Sequence, residues 1–332
     1  MIHIGDCREV MRTMDVESVQ CVVTSPPYFG LRDYGVSGQI GMEPSPAEFV
    51  AALVEVFAEV RRVLRDDGTL WLNLGDSYAG NGGRSPQNGQ MANRSHGKEA
   101  RSARFTGDGL KQKDLIGIPW RVAFALQEAG WYLRQDIIWA KPNPMPESVR
   151  DRCTKSHEYL FLLSKSPRYY FDAEAISEPL EQSSIARLAQ PTLGSQRGSD
   201  RVPGKTNGAM KAVPGGMDGR RNKRSVWNVA TQPFREAHFA TFPEALIEPC
   251  ILAGSRAGDV ILDPFIGAGT TAVVAERLGR EWIGCELNPE YAAIAEARIK
   301  ACQPGLAFGF DESNKSLQAA VENGQTREKV EP

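Results

Sequence analysis

A short segment near the start of the chain brings together hydrogen-bond acceptors and an aromatic ring. Cys21-Val22-Val23-Thr24 has the apolar character of a strand, and Ser25-Pro26-Pro27-Tyr28 follows it directly. The two prolines have no N–H to donate and hold φ near about −65°, so they end strand pairing. The Ser25 hydroxyl and the Pro26 carbonyl remain as rigid acceptors beside Tyr28. Such a set suits a planar ring with an exocyclic amine, such as cytosine or adenine, although a simple strand-ending turn has the same sequence.

A second segment, late in the chain, passes from a strand through a glycine turn into a helical pattern. An apolar strand pattern that includes Val260-Ile261-Leu262 leads through Asp263-Pro264-Phe265-Ile266 into the turn Gly267-Ala268-Gly269, and the helix follows. The two glycines permit a tight turn and close approach of a ligand to backbone N–H groups. Glu286 ends the next predicted strand, where a carboxylate can accept hydrogen bonds from ribose hydroxyls. Glycines that merely let the helix pack on the strand are the plainer alternative.

The acid at the end of the first of these strands discriminates between nucleotide ligands. Ala272 takes the place of the third glycine of a dinucleotide site, a replacement that the pattern tolerates, so spacing alone does not exclude a nicotinamide cofactor. Asp263, however, would repel a pyrophosphate and suits a cationic or amine-bearing ligand. S-adenosylmethionine carries a sulfonium, an amine and a ribose without any phosphate, and it fits these acids better.

Short apolar runs alternate with amphipathic patterns along the chain, which is typical of a parallel sheet covered by helices. The clearest helix begins after Ser45, with Pro46 as its first residue, and is closed by Gly68. Further helices are predicted after Gly269 and after Asn288. Seven strands are predicted, at Met1–Gly5, Val19–Thr24, Thr69–Leu74, Leu133–Ala140, Tyr159–Ser164, Asp259–Leu262 and Trp282–Cys285.

Composition excludes several classes of protein. The chain has 332 residues, 39 basic and 41 acidic side chains and 41% hydrophobic residues, which excludes fibrous, collagenous and wholly disordered proteins. No apolar run approaches the roughly 18 residues that cross a bilayer, and the N-terminus has no signal-peptide pattern. The six cysteines form no C-x-x-C pair and no zinc spacing. We therefore expect a cytoplasmic protein with reduced thiols, no membrane partner and no metal site.

Two stretches concentrate basic charge. Residues 84–113 contain seven Lys or Arg and two acidic residues, and residues 183–225 contain nine and two, with seven glycines. Neither stretch has a hydrophobic period, so both are predicted to be loops or small inserted elements. On composition alone they are either a charged surface with a partner or a pair of solvated loops without one.

Taken together, these segments resemble the DNA amino-methyltransferases, which methylate cytosine N4 or adenine N6. The resemblance rests on Thr24 with the Ser25–Tyr28 tetrapeptide, on the glycine turn, and on Glu286. His238–Pro243 looks like the cofactor-packing segment of that family, and the first six residues look like the strand whose terminal acid approaches the cofactor adenine. The tetrapeptide precedes the glycine turn, which matches the circularly permuted β-type order.

The resemblance implies an α/β fold with a doubly wound, mostly parallel seven-stranded sheet, that is, a circularly permuted Rossmann-like methyltransferase fold. It divides the chain into a catalytic half at residues 1–170 with a basic insert at 79–113, a basic target-recognition region at 171–235, a cofactor-binding half at 236–302 and a polar tail at 303–332. The catalytic residues would be Ser25, Pro26, Pro27 and Tyr28. S-adenosylmethionine would be bound by Asp6, Thr24, Phe242, Asp263, Phe265, Gly267, Gly269, Thr270, Thr271 and Glu286.

The implied substrate is double-stranded DNA with one base flipped out of the stack. Phosphate contacts are then expected from Arg197, Arg201, Lys205, Arg220, Arg221, Lys223 and Arg224 in the second basic stretch. Lys141 follows a strand at the same sheet edge and is expected to line the base pocket or contact phosphate, with a simple turn as the alternative. His157 and Glu158 precede a strand and are assigned to packing or local hydrogen bonds.

The first residue of the tetrapeptide bears on the target base. Many adenine-N6 members have Asp there, whereas Ser is common among cytosine-N4 members, so Ser25 favours cytosine N4 and leaves adenine N6 as the alternative. More remote alternatives are an RNA or protein-amide methyltransferase and a DNA-binding module without catalysis. A cognate restriction endonuclease is a further expected partner, and the assembly is expected to be a monomer or a homodimer.

Overall fold

The structure, a computed structural model, describes residues 1–80, 109–194, 219–232 and 241–302. Within these ranges an eight-stranded sheet has the order β1-β10-β9-β2-β3-β5-β4-β8, and β6 pairs with β7 in a small separate sheet. The strands are β1 (Ile2–Ile4), β2 (Val19–Thr24), β3 (Leu64–Leu74), β4 (Tyr132–Ala140), β5 (His157–Ser164), β6 (Glu178–Pro179), β7 (Arg220–Arg221), β8 (Val226–Asn228), β9 (Val260–Asp263) and β10 (Glu281–Glu286).

The sheet is mostly parallel, as the sequence predicts, but it has one strand more than the seven expected. Strand β5 runs antiparallel to both of its neighbours, and the remaining pairs are parallel. The additional strand is β8, which pairs in parallel with the end of β4. It has three residues and lies inside the predicted target-recognition region, where the surrounding polar sequence gives no periodic signal.

Helices cover both faces of the sheet, so the fold is doubly wound. Helices α1 to α3 contact one another in sequence on one side, and α5 to α7 do so on the other. The helices are α1 (Cys7–Arg12), α2 (Pro46–Val63), α3 (Ile118–Glu128), α4 (Gln182–Leu188), α5 (Glu244–Gly254), α6 (Thr270–Arg277) and α7 (Pro289–Cys302). None of these helices combines the length and the apolar character needed to span a membrane.

Helix α2 begins where the sequence predicts and ends earlier. The Ser45 hydroxyl accepts a hydrogen bond from the Glu48 N–H, and Pro46 is the first helical residue. Gly68 does not close the helix, because α2 ends at Val63 and Gly68 lies within β3. A Cβ at Gly68 would lie 2.6 Å from Leu64 Cγ. Close packing inside the strand, and not a helix cap, therefore accounts for this glycine.

Two apolar layers stabilise the sheet from opposite sides. On the α2 side, Phe49 and Phe57 are fully buried, and on the α5 side Leu246 and Ile251 are fully buried. A buried side chain of this size contributes about 1.5–3 kcal/mol relative to an exposed one. These layers hold the central strands rigidly, so the residues that follow the strands have fixed positions.

The pairing of β2 with β9 brings together two segments that are remote in sequence. Cys21 lies opposite Ile261 and Val22 opposite Leu262, in parallel register. Because parallel strands end at the same edge, the residues after β2 and those after β9 meet there. The prediction that the Ser25 corner and the glycine turn come into contact depends on this pairing, which the structure contains.

The basic insert is closed at its base by backbone hydrogen bonds. Ala79 N–H donates to Asp114 O at 2.8 Å, and Lys113 N–H donates to Ala79 O at 2.7 Å. Most of the insert, residues 81–108, lies outside the described residues. The division of the chain into the domains given above remains a prediction.

Candidate active site at the carboxyl edge of the sheet

The Ser25–Tyr28 corner continues directly from β2, whose six residues are all buried. Pro26 is buried, and Ser25 is half-buried where it borders a cavity. Tyr28 packs its ring against Gly75, where a Cβ would lie only 2.4 Å from the ring carbon Cε2. A rigid strand on one side and a glycine on the other therefore fix the position of this corner.

Hydrogen bonds also fix the phenol group of Tyr28. It donates a hydrogen bond to Glu158 Oε2 at 2.6 Å, and Asn73 Oδ1 lies 3.2 Å away. Burial, followed by the negative charge of Glu158, raises the pKa of Tyr28 well above its usual value. The phenol therefore stays protonated at neutral pH and serves as a hydrogen-bond donor.

The glycine turn has the backbone conformation that its sequence predicts. Gly267 has a φ of +49° and Gly269 a φ of +78°, both in the left-handed region that favours glycine. A Cβ at Gly269 would lie 3.2 Å from Ala295 Cβ and Ile299 Cδ1. The turn thus combines a backbone that requires glycine with close packing against α7, and α6 begins at Thr270.

Asp263, Thr24 and Thr271 form a buried polar network behind the turn. Both threonine hydroxyls donate to the Asp263 carboxylate at 2.6 Å, and Phe265 N–H donates at 3.0 Å. Burial nevertheless raises the pKa of Asp263 to about 6, because these three donors offset only part of the desolvation. None of the three side chains borders the cavity. Their contacts link β2 to the glycine turn, and their predicted role in direct cofactor binding stays a prediction.

Two further acids lie at the edge of the cavity. Glu286 Oε2 accepts a hydrogen bond from Gly267 N–H at 3.1 Å and its Oε1 accepts one from Asn288 N–H at 2.9 Å. Burial raises the pKa of Glu286. Asp6 caps α1 and pairs with Arg8 at 2.6 Å, and the hydrogen bonds from this guanidinium lower the pKa of Asp6. Glu286 is therefore anchored to the glycine turn, while Asp6 is anchored to the first helix.

One continuous cavity of about 1060 Å³ joins the Ser25–Tyr28 corner to the glycine turn. This volume is slightly above the usual range for small-molecule sites, which is about 300–1,000 Å³. Apolar side chains such as Phe242, Phe265 and Ile266 line one part, and polar groups near Ser25 line another. The predicted site residues that border the cavity are Asp6, Ser25, Pro26, Pro27, Tyr28, Lys141, Phe242, Phe265, Gly267, Thr270 and Glu286.

The antiparallel strand β5 contributes a residue whose importance the sequence understates. Glu158 lies opposite Trp139 of β4, one residue beyond the Leu74–Tyr159 pair of β3 and β5. Because β5 is antiparallel, its first residues, and not its last, reach the carboxyl edge of the sheet. The hydrogen bonds expected of Glu158 therefore extend to Tyr28 and Lys141. The sequence does not indicate that β5 runs antiparallel to its neighbours, so it does not predict that Glu158 reaches this edge of the sheet.

With this geometry in place, comparison with known proteins identifies the family. Residues 19–297 match the family model described as DNA methylase. The chain belongs to the DNA methylase family. The type II methyltransferase M.SmaI of Serratia marcescens is 50% identical over 298 residues, which cover 90% of each protein. The type II methyltransferase M.Cfr9I of Citrobacter freundii is 50% identical over 299 residues, which cover 89% of this chain and 86% of the relative. The predicted membership of the DNA amino-methyltransferases is confirmed.

Solved structures agree with the fold of the methylase. TTHA0409 of Thermus thermophilus, crystallised with S-adenosyl-L-methionine, aligns over 92% of this chain and 96% of its own, with a TM-score of 0.55 and 25% identity. The PvuII DNA methyltransferase, named as cytosine-N4-specific, aligns over 97% of this chain and 91% of its own, with a TM-score of 0.59 and 19% identity. These alignments confirm the Rossmann-like methyltransferase fold.

The basic residues of the methylase that were expected at DNA fall into three groups. Arg197, Arg201 and Lys205 lie outside the described residues. Arg221, Lys223 and Arg224 surround Glu178 at distances of 3.4–3.7 Å, and Arg220 donates to Ser177. Lys141 pairs with Glu158 inside the cavity. Contact of any of these residues with phosphate stays a prediction.

The cysteines of the methylase bear on the type of chemistry. Cys7, Cys21, Cys250 and Cys285 are buried free thiols, whereas Cys153 and Cys302 are exposed. Burial raises the pKa of both Cys7 and Cys21 to about 12, so these thiols are not nucleophilic at neutral pH. Within the described ranges, no three His, Cys, Asp or Glu side chains are grouped to hold a metal ion.

Proposed function

We propose that this methylase transfers a methyl group from S-adenosylmethionine to the exocyclic N4 amine of a cytosine flipped out of duplex DNA. The observation that carries the proposal is the single cavity that joins Ser25 and Tyr28 to Phe265, Gly267 and Glu286. An amine acceptor and a methyl donor must lie within one enclosure for direct transfer, and this cavity has the size for both.

The residues around the glycine turn fit the cofactor. S-adenosylmethionine supplies an electrophilic methyl group on a sulfonium, so no covalent intermediate with a cysteine is needed. Glu286 has a fixed carboxylate that would accept hydrogen bonds from the ribose hydroxyls. Asp6, two residues after β1, borders the same cavity and would approach the adenine amine. Phe242 and Phe265 offer apolar surface for the purine. Their positions support the proposed cofactor site.

The corner after β2 would hold the target base. Flipping the base costs a few kcal/mol, and stacking on Tyr28 would return about 1–3 kcal/mol. Ser25 Oγ and the Pro26 carbonyl would accept hydrogen bonds from the exocyclic amine and aim its lone pair along the axis of transfer. These acceptors favour the transition state more than the ground state, because positive charge develops on the nitrogen. In-line alignment would supply much of the remaining acceleration.

Cytosine N4 is favoured over adenine N6 because the tetrapeptide begins with Ser25. Sequencing that distinguishes N4-methylcytosine from N6-methyladenine, applied to DNA from cells that express the protein, tests the choice. N4-methylcytosine at one repeated sequence is expected. N6-methyladenine alone would replace the cytosine assignment and leave the family unchanged.

The acceptor role of Ser25 has its own test. We expect Ser25→Ala to lower the rate of methyl transfer from labelled cofactor to duplex DNA by about 100-fold, a loss typical of one transition-state hydrogen bond. Ser18→Ala, a change before β2 at the opposite edge of the sheet, is the matched control and should keep the wild-type rate. Transfer by Ser25→Ala at the wild-type rate would contradict the acceptor role.

We also propose that the enzyme protects sites from a cognate restriction endonuclease in the cytoplasm, as a monomer or a homodimer. The relatives named type II methyltransferases support the first point. Resistance of expressing-cell DNA to endonucleases that cut the methylated sequence would test it.

A further inference from the structure

Glu158 lies beside the Ser25–Tyr28 corner and contacts three polar side chains. Its Oε2 accepts the Tyr28 phenol at 2.6 Å and lies 3.3 Å from the Asn73 side-chain amide, while its Oε1 pairs with Lys141. Asn73 is held in turn by a hydrogen bond to the Tyr159 carbonyl at 3.1 Å. One carboxylate of β5 thus joins Asn73 of β3 and Lys141, the residue after β4, to the tyrosine that ends the tetrapeptide.

The ion pair is sheltered from water. The side chains of Lys141 and Glu158 are only 17% and 16% exposed. Lys141 Nζ also lies 4.2 Å from the centre of the Trp139 ring. A sheltered ion pair is a poor source of stability, because its desolvation offsets its attraction, and removal of one partner leaves the other uncompensated. Because stability does not explain this ion pair, we infer that it fixes the position of a neighbouring side chain.

Tyr28 is the group that the pair places. Gly75 bounds the ring on one side, and the phenol has its only proton committed to the neighbouring acceptors Glu158 and Asn73. Because Lys141 holds one oxygen of Glu158 while the other accepts the phenol, the carboxylate is fixed in place as the acceptor. Rotation or tilting of the ring would break the phenol–carboxylate hydrogen bond and force the ring toward Gly75.

We propose that Glu158, held by Lys141, is a positioning residue for methyl transfer that acts through the Tyr28 phenol. It sets the plane against which the flipped base stacks beside Ser25 and Pro26. The proposal rests on the proposed function, since it assumes that Tyr28 contacts the base. A displacement of about 1 Å in such a site costs about 100-fold in rate, so a lost anchor has a measurable effect.

The test is a double-mutant cycle with Glu158→Gln and Tyr28→Phe, measured on the duplex that the wild-type enzyme methylates. Tyr28→Phe keeps the ring and removes the phenol, while Glu158→Gln removes the charged acceptor. Each single variant is expected to lower kcat about tenfold or more with unchanged affinity for S-adenosylmethionine. The double variant should be no slower than the slower single variant, because both changes break the same link.

Several outcomes would overturn the proposal. A wild-type kcat for Glu158→Gln would show that the anchor is dispensable. Losses that multiply in the double variant would show that Glu158 acts independently of Tyr28, for example by direct contact with the base. A weakened cofactor affinity in proportion to kcat would indicate general disruption of the site. Exposed Glu128→Gln, at the end of α3, is the matched control and should keep wild-type kinetics.

The double variant Glu158→Gln with Lys141→Met separates positioning from folding. It leaves no uncompensated charge and keeps the side-chain stem over Trp139, so its melting temperature should return toward the wild-type value. Its kcat should stay low, because the charged acceptor is still missing. If kcat recovered together with the melting temperature, the role of Glu158 would be structural only. A wild-type enzyme that methylated no DNA would refute the proposed function before any variant is compared.

Discussion

Replacement of Asp263 by Asn should change how the stability of the protein depends on pH. Asp263 is 1% exposed and accepts hydrogen bonds from Thr24, Thr271 and the Phe265 N–H. Burial raises the pKa of its carboxyl from 3.8 to about 6 despite these donors. Asn has nearly the same shape and cannot ionise, so it removes the titration and preserves most of the packing.

The pKa shift of Asp263 determines both the direction and the size of the expected change in stability. The native protein holds the Asp263 proton more tightly than the unfolded chain, so the wild type binds more protons when folded. The stabilising contribution is fully present below pH about 4 and is lost as pH rises through about 6. A shift of this size corresponds to about 3 kcal/mol. Between about pH 3 and about pH 8, the unfolding free energy of Asp263→Asn should therefore rise relative to the wild type by about 3 kcal/mol.

Urea unfolding followed by tryptophan fluorescence at several pH values measures the difference. Glu290→Gln, at an exposed position in α7, is the control for the replacement of an acid by its amide. A constant difference for Asp263→Asn would refute the reasoning, because it would mean that the donors cancel the desolvation. An unfolding free energy of Asp263→Asn that falls relative to the wild type as pH rises would show that the pKa of Asp263 is lowered.

Two further substitutions test the walls of the site. Gly75→Ala should lower kcat about tenfold or more with nearly unchanged cofactor affinity, because the added methyl group would lie 2.4 Å from Tyr28 Cε2 and displace the ring. Steady-state kinetics would measure both quantities, and a wild-type kcat would contradict the prediction. Glu286→Gln should weaken S-adenosylmethionine binding about tenfold in calorimetric titration, since the amide loses one charged acceptor. Unchanged affinity would exclude Glu286 from the cofactor site, and Glu290→Gln again serves as the control.

The parts of the site that follow parallel strands could be predicted from the sequence. Ser25 follows β2 and the glycine turn follows β9, and both strands are apolar runs that end in residues with special backbone demands. In a doubly wound sheet such residues converge at one edge irrespective of their separation along the chain. The contact between the Ser25–Tyr28 corner and the glycine turn could therefore be predicted from two features alone: both segments follow strands, and those strands are parallel.

The remaining features depend on information that a local pattern lacks. The direction of β5 is set by its partners β3 and β4, and it decides that Glu158 reaches the catalytic edge. Strand β8 has only three residues, and its Trp227 is buried beside Trp71 by tertiary contacts that the local sequence does not show. Gly68 looks like a helix stop, yet close packing on Leu64 and Gln20 requires it. In each of these three cases, tertiary contacts determine a structural feature that the local sequence does not specify.

The circular permutation is compatible with catalysis because noncovalent links, and not chain continuity, hold the two halves in register. The Thr24 hydroxyl donates to Asp263 across 239 residues of sequence, at a buried point between the catalytic corner and the glycine turn. The backbone pairing of β2 with β9 continues from the same point into the sheet. Moving the chain ends to another surface loop would leave both links intact, whereas loss of either would separate the Ser25–Tyr28 corner from the glycine turn. The contact between these two segments therefore depends on the Thr24–Asp263 hydrogen bond and the β2–β9 pairing, which accounts for an acid at a position where its burial is costly at neutral pH.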